Sequence, residues 1–345
     1  MRKAALLLSI VMVFLCLMTP SYAIQRTVTG SMDRSGFQTD TDGQLYLIHG
    51  KNNRTELIRV DVPERKATTV FTIGSLDGQI TIGNGEICFR NIFVQPLFAS
   101  HIGPHIYYTC AIENNSFWNW TPRTDLWTYT QPIHTKCAYV SDKLFLLEWP
   151  SEGAGARKPF QTSIYVIREN GGRQLMGTYE NCLSWPFDTA IWIRHEDDGN
   201  GFTNLIDPVQ EREIRIPFSS DNGDYMRIEL LIHDDTIYLA ADYRVVAYDE
   251  NSGTCTEILR CEDRVPALNC VGDELYIYSD HEHVLYRWDT EKKSVVDQYS
   301  IPETIPYGWS PIVWDHWLVF HPIGNIMYVY DFENDVLDEI DFENR

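Results

Sequence analysis

The chain has 345 residues and a strongly acidic balance, 28 Lys and Arg against 49 Asp and Glu, for a net charge of −21. A surface of that sign repels phosphate backbones and anionic bilayers, which excludes nucleic acid and stable membrane insertion and leaves cations, neutral sugars and basic peptides as compatible partners. With 19 Tyr, 15 Phe and 10 Trp, and no helical periodicity held over four turns past residue 24, the composition points to short strands.

The chain begins with an expected secretory signal over residues 1–23. Arg2 and Lys3 form a positive start, Ala4 to Met18 is apolar apart from Ser9, and Ser21-Tyr22-Ala23 supplies small residues at −3 and −1 of a cleavage site after Ala23. The apolar run is short of the ~20 residues of a membrane span. Phe14-Leu15, ahead of Cys16, are too large for a lipoprotein site. No further apolar stretch of spanning length follows. The expectation is a single domain over 24–345, working outside the cytoplasm as a secreted, periplasmic or cell-envelope protein. Without Arg2 and Lys3, 26 basic residues face 49 acidic ones, a net charge of −23.

From there the sequence repeats one phrase, a Gly or acidic turn followed by a short apolar-aromatic run. It reads Gly43-Gln44-Leu45-Tyr46-Leu47, Asp142-Lys143-Leu144-Phe145-Leu146, Asp235-Thr236-Ile237-Tyr238-Leu239 and Asp273-Glu274-Leu275-Tyr276-Ile277. Seven copies start at 43, 85, 142, 189, 235, 273 and 315, separated by 42, 57, 47, 46, 38 and 42 residues. Each interval holds four strands of ~5 residues with their turns, the size of a propeller blade. The sixth repeat is the clearest, with expected strands at 267–271, 274–279, 283–289 and 294–300. The expectation is therefore an all-β, seven-bladed β-propeller of four-stranded antiparallel blades.

Seven cysteines follow the leader: Cys88, Cys110, Cys137, Cys182, Cys255, Cys261 and Cys270. Export permits disulfides. Cys88 and Cys110 fall on two strands expected to pair, and Cys255, Cys261 and Cys270 crowd one strand-turn-strand. The odd count leaves at least one thiol unpaired or intermolecular. In a host that lives without oxygen all seven can be buried thiols.

The pattern acidic-x-Ile/Leu-Tyr followed by Leu-Tyr-x-Tyr/Trp-Asp, at 235–251 and 273–291, resembles the repeats of secreted bacterial β-propellers. These include domains similar to the YWTD blades of the low-density-lipoprotein receptor and the broader quinoprotein-like and Kelch-like groups. The resemblance spans nearly all of 31–345. It implies the fold and carries no catalytic motif: Tyr-Trp-Thr-Asp, the WD40 Gly-His pairing and the Kelch double Gly are absent.

Propellers commonly bind ligands at a channel mouth lined by the connections between second and third strands and between successive blades. Here the long connections 92–104, 149–161, 195–202 and 301–311 are expected to bring His101, His105, Trp149, Glu152, Arg157, Lys158, His195, Glu196, Tyr307 and Trp309 to that mouth. Aromatic faces with a few charges suit a sugar or a peptide; packing between blades is the alternative use of the same rings. Glu196, Asp198 and Asn200, then Gly201, match the start of a calcium loop, with Asp207 as a closing carboxylate; a plain hairpin turn explains the same residues. No other cofactor is expected. Phe117-Trp118-Asn119-Trp120 reads as a plug sealing one end of the ring or, less readily, as an exposed stacking platform.

Function is bounded more loosely. The first expectation is a non-catalytic module binding a carbohydrate, a peptide or an envelope protein at the mouth. A glycoside hydrolase or lyase would use carboxylates such as Asp33, Glu148, Asp188 and Glu196 across the channel. A structural module of a surface assembly is the third reading.

Overall fold

The computed structural model describes residues 27–29, 36–51, 54–74, 79–90, 107–123, 126, 133–150, 161–169, 171–180, 182–195, 202–218, 228–263, 265–305, 311–321, 324 and 326–341. Seven antiparallel sheets follow one another along the chain, at 37–73, 80–122, 133–180, 182–216, 229–260, 267–300 and 312–341. Within each blade the strands neighbour one another in chain order. The fold is an all-β seven-bladed propeller. The seven repeats form the second strands: Leu45–Lys51, Glu86–Arg90, Lys143–Pro150, Ile191–His195, Thr236–Ala241, Glu274–Ser279 and Trp317–Val319.

The repeated phrase has a packing reason. Side chains alternate across a strand, and each second strand lies between two neighbouring blades. In blade 5, Ile237 and Leu239 face blade 4, while Tyr238 and Ala240 face blade 6. Blade 6 repeats this, with Leu275 and Ile277 toward blade 5 and Tyr276 and Tyr278 toward blade 7. Blade 1 turns Leu45 and Leu47 toward blade 7 and Tyr46 toward blade 2. The buried residues gather into seven apolar clusters, one at each blade junction. A fully buried Leu, Ile or Tyr contributes roughly 1.5–3 kcal/mol through burial, so stability resides between blades.

A second recurring acid, at the end of the third strand, has a separate cause. In five blades the third strand ends in an Asp whose Oδ1 accepts backbone N–H groups of the following turn. Asp61 accepts from Glu64 at 3.2 Å. Asp207 accepts from Val209 at 2.8 Å and Gln210 at 3.1 Å. Asp249 accepts from Asn251 at 2.8 Å, Asp289 from Lys292 at 2.8 Å and Asp331 from Asn334 at 2.9 Å. Four residues after each Asp the backbone turns left-handed, at Arg65, Glu211, Gly253, Lys293 and Asp335. These carboxylates hold the turns and so account for part of the acidic excess.

The channel-facing edges of the innermost strands need protection, since an open edge leaves N–H groups unpaired. Side chains of the preceding blade accept several of these bonds. Gln38 Oε1 accepts from Ile82 N at 2.9 Å, Thr81 Oγ1 from Tyr139 N at 3.0 Å, Thr189 Oγ1 from Ile232 N at 2.7 Å and Asn269 Oδ1 from Val313 N at 3.3 Å. Blade 6 is covered differently. Thr27–Thr29 pairs antiparallel with its innermost strand, Ala267–Val271, as a fifth strand inside the hub.

One expectation is met in part and one is corrected. The strands carrying Cys88 and Cys110 do pair, but Cys88 stands opposite Thr109 and Cys110 opposite Ile87. This offset of one residue puts the thiols on opposite faces of blade 2, and all seven cysteines are free. The aromatic insert is no plug. It links the third strand of blade 2 to its outer strand, Thr121–Pro122, away from the hub. Trp120 packs on Phe71, Phe89 and Tyr108 at the junction of blades 1 and 2 and donates Nε1–H to Asn115 O at 3.0 Å. Trp118 stands out, 90% exposed.

Candidate functional site

A cavity opens in the hub, on the side of blades 1 to 4. Its volume is about 230 Å³, and the innermost strands of four blades line it. Each blade contributes a polar group: Gln38 beside Phe37, Thr81 between Ile80 and Ile82, Lys136 beside Cys137, and Asp188 in the turn that follows Cys182–Pro186. The N-terminal strand Thr27–Thr29 occupies the opposite side of the hub, against blade 6 and beside Ile312–Trp314 of blade 7.

The lining is held in place by bonds between blades. Gln38 spends Oε1 on Ile82 N, leaving its Nε2 without a bond among the described residues. Gln79 Nε2 donates to Thr135 O at 3.2 Å, and the buried Tyr107 hydroxyl donates to Gln79 Oε1 at 3.1 Å. Ser141 N donates to Asp188 O at 2.7 Å, joining blades 3 and 4. Tyr139 donates its hydroxyl to Glu86 Oε2 at 3.2 Å, and burial pushes its phenol pKa well up, keeping it neutral. The Tyr139 ring occupies the space a side chain at Gly83 would need: a Cβ there would sit 2.5 Å from Tyr139 Cγ. That close approach fixes Gly83 and with it the wall of the cavity.

Lys136 is the cation of this lining. Part of its surface reaches the channel, yet protein surrounds it closely enough that desolvation lowers its ammonium pKa to about 8. Near neutral pH it is charged. Together with the Gln38 and Gln79 amides, the Thr81 hydroxyl and the Asp188 carboxylate, it makes a concave surface of donors and acceptors. Such a site can orient a hydroxyl-rich ring or a carboxylate.

The residues expected at the outer mouth are placed only in part. Trp149 lies near the end of the second strand of blade 3, half-buried against the junction with blade 4 and opposite His134. His195 ends the second strand of blade 4, opposite Cys182. His101, His105, Glu152, Arg157, Lys158, Tyr307 and Trp309 lie outside the described residues, as do Glu196, Asp198 and Asn200. Asp207 ends the strand Thr203–Asp207, and its Oδ1 accepts from the turn at Val209 and Gln210. Glu148 pairs with Arg173 Nη1 at 3.2 Å within blade 3, and Asp188 reaches the hub.

The hub residues Gln38, Gln79, Thr81 and Lys136 were not singled out from the sequence. The available signal was modest: a polar residue in the middle of a short apolar strand, just before a repeat.

No protein-family model and no curated protein matches this sequence. Solved structures do resemble it. Apo AztD from Citrobacter koseri is 11% identical, with 90% of this chain and 86% of that chain covered at a TM-score of 0.48. KlHsv2 with loop 6CD replaced by a Gly-Ser linker is 8% identical, with 90% and 97% covered at 0.51. At such identity the likeness is one of fold. Among the described residues no helix is long and apolar enough to cross a membrane.

Proposed function

We propose that the chain is a non-catalytic binding propeller of the secreted or cell-envelope space, taking a small polar group of a carbohydrate, peptide or envelope-protein partner into its hub. The observation that carries this reading is the cavity beside Lys136, walled by the innermost strands of four blades. Its volume of about 230 Å³ is below the ~300–1,000 Å³ of sites that engulf drug-sized ligands. It suits one sugar ring or one side chain, with the rest of the partner lying across the mouth.

Binding is favoured over hydrolysis by the lining chemistry. A glycosidase needs two carboxylates placed across the scissile bond, and among the described lining residues Asp188 is the carboxylate. Calorimetric titration with neutral and uronic oligosaccharides and short acidic or neutral peptides tests the reading, with product analysis on the same mixtures. Saturable binding without turnover is the expected result. Release of shortened glycan would establish the hydrolase reading instead.

A further inference from the structure

On the hub-side turns of blades 5 and 6, away from the cavity, three metal-ligating side chains converge. His233 is the last residue of the innermost strand of blade 5, Glu229–His233, and Asp234 opens the turn that follows, with φ at 50°. Asp273 sits in the corresponding turn of blade 6, between Ala267–Val271 and Glu274–Ser279. One ligand atom from each lies within 4.8 Å of the others.

The imidazole carries the argument. His233 Nε2 is buried and makes no hydrogen bond, an arrangement that costs about 1–3 kcal/mol for a polar atom removed from water. Its nearest carboxylate oxygen, Asp234 Oδ2, is 3.6 Å away, too far for a hydrogen bond. Two donors bound at about 2.0–2.1 Å to a tetrahedral ion stand about 3.3 Å apart, so the spacing is close to that of a chelated pair. Blade 7 offers a contrast with the same residue types. There His316 Nδ1 and Asp315 Oδ2 stand at 2.8 Å, a direct ion-pair contact.

We propose that His233, Asp234 and Asp273 bind one divalent transition metal ion, of which Zn²⁺ is the test case, and that the ion clips blade 5 to blade 6. One imidazole nitrogen and two carboxylate oxygens suit zinc and its first-row neighbours, whereas calcium prefers six to eight oxygens. Two carboxylates neutralise the ion's charge. The exposed Asp234 carboxylate, 82% accessible, can close the last few tenths of an ångström, and water takes the remaining position. Cys270 lies close by, but its Sγ is engaged with Gly272 O at 3.4 Å, so the proposed ligand set leaves it out.

The test uses the whole chain, stripped with chelator and titrated with ZnCl₂ by calorimetry and thermal unfolding. One equivalent should bind and raise Tm. Asp273→Asn, an isosteric change at an exposed turn, and His233→Gln should each weaken zinc at least about tenfold while leaving the metal-free Tm within a few degrees. Cobalt substitution should show no thiolate charge-transfer band. Stoichiometric zinc binding that survives both substitutions, a thiolate band, or no saturable binding at all would overturn the proposal. The outcome is independent of hub binding, because neither variant touches the cavity.

Discussion

Arg65 and Asp338, 273 residues apart, meet where the last blade returns to the first. Arg65 Nε and Nη2 both donate to Asp338 Oδ2, at 2.9 and 2.7 Å, and the guanidinium lies 4.1 Å over the Trp317 ring. Among the described residues, blade 7 ends at Asp341, blade 1 begins at Phe37, and no strand is shared between them. The ring closes on side chains: the 7/1 apolar cluster, the Trp314 Nε1–H bond to Gly43 O at 2.9 Å, and this pair.

Both partners are partly exposed, 27% and 41%, so the ion pair itself is worth about 0.5–1 kcal/mol. Asp338→Ala should lower stability by that amount. Arg65→Ala also loses the Trp317 face and the bond to Val62 O, and should cost about 1–2 kcal/mol. Denaturant unfolding of the two single variants checks the difference; equal losses would remove the aromatic contact from the closure.

The left-handed turn residues give a paired prediction. Lys293 adopts φ of 53° where blade 5 has Gly253 at 68°. Lys293→Gly should gain about 0.5–1 kcal/mol by relieving that backbone, and Gly253→Ala should lose about 1 kcal/mol. A Cβ at Gly253 meets nothing within 4 Å, so its loss measures backbone conformation alone. Thermal unfolding reads both, and shifts of the same sign would contradict the turn assignment.

Much of this scaffold was readable because its causes are local. The second strand of every blade must be apolar on both faces, and an Asp four residues before a left-handed turn recurs for a hydrogen-bonding reason, so both leave a periodic mark. What stayed hidden depends on register or on distant partners. Cys88 and Cys110 sit on paired strands as expected, and only the one-residue offset decides that they face apart. Trp120 reads as a plug until Phe71 and Phe89 are seen to enclose it. Thr27–Thr29 has no signal to distinguish it from any short β-branched stretch, yet it finds the open edge of blade 6. The hub lining was missed because Gln38, Thr81 and Lys136 come together only when four blades curve round one axis.

Acid stability should depend on the junction of blades 3 and 4. Glu211 accepts from Arg168 Nη1 and Nη2 at 2.6 and 2.7 Å and from Lys143 Nζ at 3.1 Å. Arg168 first, and Lys143 after it, hold the carboxyl at about 2, against the opposing effect of burial. Because the folded value lies below the unfolded one, the stabilisation is present above about pH 4.3 and fades as pH falls toward 2. Solvent screening limits it to about 1 kcal/mol. Glu211→Gln should be less stable than the parent at pH 7, with the gap narrowing at pH 2.5; a constant gap would show that the charge is not the cause.

Lys136 shifts in the same direction, but here burial disfavours the charged form. Its folded pKa of about 8 lies below the ordinary lysine value, so the unfolded chain holds the proton more tightly between pH 8 and about 10.4 and stability should rise with pH through that window. Lys136→Met removes the desolvation penalty and should raise stability at pH 7 by on the order of 1–3 kcal/mol while flattening the alkaline rise. A lower Tm in Lys136→Met would mean that its ammonium stabilises the hub.

The most direct test takes the ligand found by the binding panel and titrates it into the parent chain, Lys136→Met and Trp309→Ala. Hub binding predicts that Lys136→Met loses at least about tenfold in affinity with Tm unchanged or raised, while Trp309→Ala, at the expected outer mouth, loses less. Full affinity in Lys136→Met would contradict hub binding and move the site to the outer loops.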